Sequence, residues 1–282
     1  MSNLKQRLSL GITLAVLVGF VIWASKPFFL AIITWIVISG ALWEYYQIAR
    51  HKNFKPVTSI GMIGCGAYVF ATLLSTQFPS CEPLPVTVLA MLCLILFVFY
   101  FISEDHPIEN IAITIFGIVY ITLTLAHIIS ITYFFSASSP HDGRLWLMYL
   151  IVVTKMTDTI AYFAGKKFGN RLLAPVLSPK KTLEGTIAGT LAAMMTSFLL
   201  YMMEQHLSAF SGLTLTWMTA LVLGLLIGVI AQVGDLAESL LKRDAGIKDS
   251  GHLPGLGGIL DIVDSLIFTT PLVYLFLQCT MR

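Results

Sequence analysis

The chain has 282 residues, 57% of them hydrophobic and 11% charged, with a mean hydropathy of +0.85 and a formal net charge of +2. Soluble domains carry roughly 25% charged residues, so this composition excludes an ordinary soluble domain and points to an all-α, polytopic integral membrane protein. A net charge this small says little about partners; its distribution along the chain carries the information.

A spanning helix needs about 20 mostly apolar residues. Runs that qualify are Leu8–Ala24, Phe28–Ile48, Ser59–Leu74, Val86–Ile102, Ile111–Phe135, Leu145–Gly165, Leu183–Met203, Leu213–Val233 and Ile259–Cys279, which makes nine expected spans. The first follows a short basic segment with Lys5 and Arg7, as a signal peptide would, but it lacks a small-residue cleavage site and more spans follow, so it reads as a first membrane helix. Ser59–Leu74 is short for a span and Ile111–Phe135 long; the latter is kept whole because no Asp, Glu, Lys or Arg interrupts it. No fixed-period repeat and no separate soluble domain is evident. Residues 1–282 are expected to form one membrane domain, with an N-terminal helical half over 1–144 and a catalytic helical half with cytoplasmic loops over 145–282.

Lys and Arg favour cytoplasmic loops. With the N-terminus inside, the inner segments hold Lys5, Arg7, Arg50, Lys52, Lys55, Lys166, Lys167, Arg171, Lys180, Lys181, Lys242, Arg243 and Lys248, thirteen of the seventeen basic residues. The outer segments hold Lys26, Arg144 and Arg282, and Lys155 falls within a span. The N-terminus is therefore expected in the cytoplasm and the C-terminus outside. The inner loop with Glu104, Asp105 and Glu109 has no basic residue, but acids count for little in this rule.

The four cysteines (Cys65, Cys81, Cys93 and Cys279) have no C-x-x-C spacing and define neither a zinc site nor a disulfide framework; they read as small buried residues. The loop from Lys166 to Lys181 carries five basic residues and no acid. Such a loop can hold orientation and touch anionic lipid. Its end, Ser178-Pro179-Lys180-Lys181-Thr182-Leu183-Glu184-Gly185, also places hydroxyls and two lysines at a helix N-terminus, which suits phosphate oxygens. Ser178, Lys180, Lys181 and Glu184 are thus candidate substrate-binding residues. Gly185 and Gly189 form a G-x-x-x-G that permits close helix packing.

Asp158 lies within the sixth expected span, three residues after Lys155 and on the same helix face. The pair can neutralise itself, or Asp158 can line a polar cavity. The densest charge lies between Gly234 and Ser265, flanked by apolar runs. Asp235, Glu238 and Ser239 share a helix face by their i, i+3, i+4 spacing, and Asp261 and Asp264 repeat the i, i+3 pattern. Between them run Lys242, Arg243, Lys248, Asp249 and Pro254-Gly255-Leu256-Gly257-Gly258. The glycines can form a plain turn or let backbone N–H groups approach an anion. His252 reads as a loop residue, and the other histidines are dispersed. Facing carboxylates repel unless a cation lies between them. Oxygen-only ligands suit a hard ion such as Mg²⁺, and Lys and Arg suit phosphates. Acids for metal and bases for phosphate at a membrane edge describe phosphoryl or nucleotidyl transfer to a lipid.

These residues resemble the phosphatidate cytidylyltransferase, or CDP-diacylglycerol synthase, family. The C-terminal signature is matched by Ser239, Lys242, Arg243, Lys248, Asp249, Pro254, Gly255, Gly257, Gly258, Asp261 and Asp264. The stretch from Asp158 to Gly169 and the Ser178–Gly185 stretch also resemble the family, in the right order. Leu256 stands where the signature has His, Ile262 where it has Arg, and the segment between Asp249 and Pro254 is one residue short. The resemblance implies transfer of CMP from CTP to phosphatidic acid, giving CDP-diacylglycerol and pyrophosphate. It implies Asp235, Asp261 and Asp264 as metal ligands with Asp158 and Glu238 as second choices, and Lys180, Lys181, Lys242, Arg243 and Lys248 as phosphate holders. Ser239, Gly255, Gly257 and Gly258 complete the substrate-binding set. Mg²⁺ is the implied cofactor, a second cation staying open. The expected partners are CTP, phosphatidic acid and membrane lipid, with a homodimer open and no nucleic acid. The site would face the cytoplasm from the cytoplasmic (inner) membrane. Rival readings are a CTP-dependent polyprenol or lipid kinase, a cation-coupled transporter, and an inactive homologue.

Overall fold

The computed structural model describes residues 19, 26–103, 106–135, 141–207, 212–247 and 258–281. Among these, eight helices are long and apolar enough to cross a membrane. They are α1 (Pro27–His51), α2 (Thr58–Gln77), α3 (Leu84–Ser103), α4 (Pro107–Thr132), α5 (Gly143–Phe168), α6 (Leu183–His206), α7 (Trp217–Asp244) and α8 (Ile259–Thr280). The protein is an all-α integral membrane protein, as its composition requires. The helices match all the expected runs but the first, Leu8–Ala24, which apart from Gly19 lies outside the described residues. Two details differ from the sequence reading. Helix α7 does not stop at Val233 but continues to Asp244, so Lys242 and Arg243 lie on the same helix as Asp235 and Glu238. The loop between α5 and α6 folds into a short antiparallel pair, β1 (Leu172–Ala174) and β2 (Ser178–Thr182). Of the cysteines, Cys65 is buried as expected, whereas Cys279 is exposed at the end of α8.

The chain forms two compact units, residues 1–130 with 249–262, and residues 131–248 with 263–282. In the first, the connection from α1 to α2 is pinned to α4. The Val57 amide donates to Thr114 Oγ1 at 3.0 Å and the Lys55 amide to Asn110 Oδ1 at 2.7 Å. Val57, Leu96, Tyr100 and Ile111 form an apolar cluster beside these bonds. Tyr46 crosses from α1 to donate to the Thr114 carbonyl at 3.0 Å, and Gly61 on α2 leaves room for its ring.

In the second unit, α6 packs against both α5 and α7. Apolar lipid tails give helices no hydrophobic reason to associate, so close backbone approach and polar contacts do the holding. Gly185 and Gly189 face Ala161 and Gly165 of α5, while Gly224 and Gly228 face Met194 and Thr190 of α6. Gln232 Nε2 on α7 donates to the Thr186 carbonyl at 3.1 Å and to Thr190 Oγ1 at 3.0 Å. Tyr149 and Ser197 hydrogen-bond at 2.6 Å, and Ser197 donates onward to the Ala220 carbonyl.

A side chain at Gly189 has nowhere to go: its Cβ would sit 2.8 Å from the Ala161 Cβ and 2.9 Å from the Thr157 carbonyl oxygen. Gly189→Val is expected to destabilise the protein by about 1–3 kcal/mol, the usual cost of overpacking. Thermal unfolding in detergent checks this, and an unchanged Tm would contradict the close packing of α5 and α6.

Candidate active site

The site is built where α7 and α8 come close. At Gly234 a Cβ would lie 2.6 Å from the Asp264 carbonyl oxygen and 3.2 Å from the Ser265 Cα, so only a glycine permits this approach. The next residue, Asp235, and Glu238 one turn on therefore face Asp264. One carboxylate oxygen from each of the three lies within 4.8 Å of the others. Glu238 is 1% and Asp264 7% exposed, whereas Asp235 opens toward the surface. Buried carboxylates this close repel one another strongly unless positive charge accompanies them.

Lysines supply part of that charge. Lys242, one turn beyond Glu238 on α7, places Nζ 2.6 Å from Glu238 Oε2. Lys181 reaches from β2 to within 2.7 Å of Asp235 Oδ2, so the β pair serves to deliver this ammonium group. On α5, Lys155 Nζ lies 3.3 Å from Asp158 Oδ2 and 3.2 Å from Ser265 Oγ, and Ser265 Oγ donates to Asp158 at 3.0 Å. Four carboxyl groups (Asp158, Asp235, Glu238, Asp264) thus meet three lysines (Lys155, Lys181, Lys242). An oxygen-only donor set, partly open to solvent, fits a hard divalent cation such as Mg²⁺.

The structure distributes the other expected site residues differently. Asp261 belongs to the first compact unit, where its Oδ2 accepts from the Gly258 amide at 2.8 Å and closes the start of α8. Arg243 donates to the carbonyls of Leu177 at 3.1 Å and Ile247 at 3.2 Å, which braces the turn between the two strands. Glu184 accepts from the Asn170 and Arg171 amides and secures the loop that leaves α5. Ser239 is buried beside Glu238, Lys180 is exposed on β2, and Ser178 is half-buried in the strand pairing with Ala174. Lys248, Asp249, Pro254, Gly255, Leu256 and Gly257 lie outside the described residues. Ile262 is half-buried on the first turn of α8.

Ser265 was not anticipated. It is fully buried and ties α8 to the Lys155–Asp158 pair of α5. Its position directly after Asp264 is the sole hint in the sequence.

Residues 5–280 match the model of the cytidylyltransferase family. A protein of Chlamydia trachomatis serovar D named phosphatidate cytidylyltransferase is 31% identical over 293 aligned positions, covering 100% of this chain and 95% of its own. A Bacillus subtilis protein of the same name is 31% identical, with 98% of each chain covered. A third, from Chlamydia muridarum, is 30% identical over 95% of this chain and 90% of its own.

Proposed function

Since the chain belongs to the cytidylyltransferase family, we propose that it is a membrane nucleotidyltransferase which transfers CMP from CTP to phosphatidic acid. The products are CDP-diacylglycerol and pyrophosphate. The observation that carries this reading is the convergence of Asp235, Glu238 and Asp264 with lysines already paired into the cluster.

The chemistry asks for little beyond positioning and charge. A phosphate oxygen of phosphatidic acid forms a bond to the α-phosphorus of CTP, and the bond from that phosphorus to the bridging oxygen breaks. The attacking oxygen is already anionic, so no strong general base is needed. The barrier is mainly repulsion between anions and the charge that builds on pyrophosphate. Asp235, Glu238 and Asp264 would hold Mg²⁺, which when bound would neutralise phosphate charge and polarise the phosphoryl oxygens. Lys180, exposed on β2, is placed to meet phosphate oxygens. Lys181 orients Asp235, and Lys242 does so for Glu238. Lys155 and Ser265 fix Asp158 behind Asp264. The surrounding apolar helices accommodate the acyl chains.

The basic residues of the loops support a site on the cytoplasmic side of the inner membrane. Cysteine substituted at Ser178 is therefore expected to react with an impermeant reagent from the cytoplasmic side alone; labelling from outside would overturn the orientation.

The reaction itself is tested with purified protein, Mg²⁺, phosphatidic acid and CTP labelled at either the α- or the γ-phosphorus. The α-label is expected in lipid. A γ-label in lipid would identify a lipid kinase, and no label in lipid would favour the transporter or an inactive homologue.

A further inference from the structure

Glu44 lies toward the C-terminal end of the apolar run of α1, is 8% exposed, and takes no part in the carboxylate cluster described above. A buried acid on a membrane helix is costly without strong compensation. Here the compensation is complete in geometry: Glu44 Oε1 accepts from the Ile259 amide and Oε2 from the Leu260 amide, each at 2.8 Å. These are the first amides of α8, which have no carbonyl partner within the helix. The carboxylate also meets the positive end of the helix dipole. One turn earlier on the same face of α1, Gly40 leaves the space that the Ile259 side chain fills; a Cβ there would fall 2.3 Å from Ile259 Cδ1. Glu44 thus holds the backbone of the first turn of α8 and Gly40 seats its first side chain. Asp261 closes the same turn from within, accepting from Gly258.

We infer that Gly40 and Glu44 form a cradle that fixes the start of α8, and that Glu44 is a positioning residue for the reaction because α8 carries Asp264. The inference rests on the reading of Asp264 as part of the active site, while the cradle itself does not. A carboxylate that receives two amides sets both the height and the rotation of a helix, since neither bond survives a register change. A helix loosened at Ile259 would carry Asp264, little more than one turn on, out of line.

The test combines hydrogen exchange with kinetics on the full chain in detergent. Glu44→Ala is expected to speed exchange at the Ile259 and Leu260 amides by about ten-fold or more. It is also expected to lower kcat per folded molecule by about ten-fold, while the KM for CTP changes by less than about three-fold. Glu44→Gln keeps the side-chain volume and one acceptor oxygen, and is expected to fall between the two in both readouts. If Glu44→Ala does not purify, Glu44→Gln is read by the same criteria. Unchanged exchange at Ile259 and Leu260 would overturn the cradle. Faster exchange with unchanged kcat would overturn the positioning role. The exchange arm reads independently of the reaction, so absence of CMP transfer in the native protein would refute the proposed function and leave the cradle standing or falling on its own result.

Discussion

Asp264→Asn is expected to abolish turnover, with kcat reduced by about 10²-fold or more, while the protein still inserts and purifies. The substitution keeps the size of a side chain that is 7% exposed and removes its charge. Loss of a group that stabilises developing charge in a water-poor site is typically worth 10²–10³ in rate. The packing at Gly234 depends on the Asp264 backbone rather than on its carboxylate, so the contact between α7 and α8 survives. Asp261→Asn serves as the comparison. Asp261 caps the first turn of α8 through the Gly258 amide, and an asparagine oxygen can still accept that bond, so this variant is expected to retain more activity. Steady-state kinetics on both variants check the ordering, and a more severe loss in Asp261→Asn would move the metal ligand back to that residue.

The second large effect concerns Lys242. Its pair with Glu238 is largely buried, with the side chains 11% and 1% exposed and 2.6 Å between the charged atoms. Removing one member of a buried pair leaves the other uncompensated and costs about 3–5 kcal/mol. Lys242→Met is therefore expected to lower the Tm markedly and to eliminate activity at ordinary Mg²⁺. The double variant Glu238→Gln/Lys242→Met carries no orphaned charge and is expected to regain stability without regaining turnover. Thermal unfolding of the four forms completes the cycle. A single Lys242→Met variant as stable as the native protein would contradict the buried pair.

The membrane helices were legible in the sequence because their signal is length and apolarity, which tertiary context does not change. The shared face of Asp235, Glu238 and Ser239 was legible for a similar reason, since i, i+3 and i, i+4 spacings hold wherever the helix goes. What the sequence did not yield were contacts between distant segments. Nothing in the spacing of Lys181 and Asp235, or of Lys155 and Ser265, announces that each pair meets. The charge of Arg243 is visible in the sequence, whereas the carbonyls of Leu177 and Ile247 to which it donates are not. The β pair escaped notice because Ser-Pro-Lys-Lys-Thr has no alternating apolar pattern. Glu44 did carry a signal, as an acid within an apolar run. Its role depends on amides 215 and 216 residues away, beyond the reach of any local rule.

Asp235, Glu238 and Asp264 are proposed to hold a divalent cation. Mn²⁺, a paramagnetic substitute for Mg²⁺, can be titrated into purified protein and followed by electron paramagnetic resonance. The native protein is expected to bind Mn²⁺, with affinity lowered by about ten-fold or more in Asp264→Asn and again in Glu238→Gln, at unchanged helix content. Mn²⁺ binding of native affinity in both variants would contradict the assignment and require the cation to be held elsewhere.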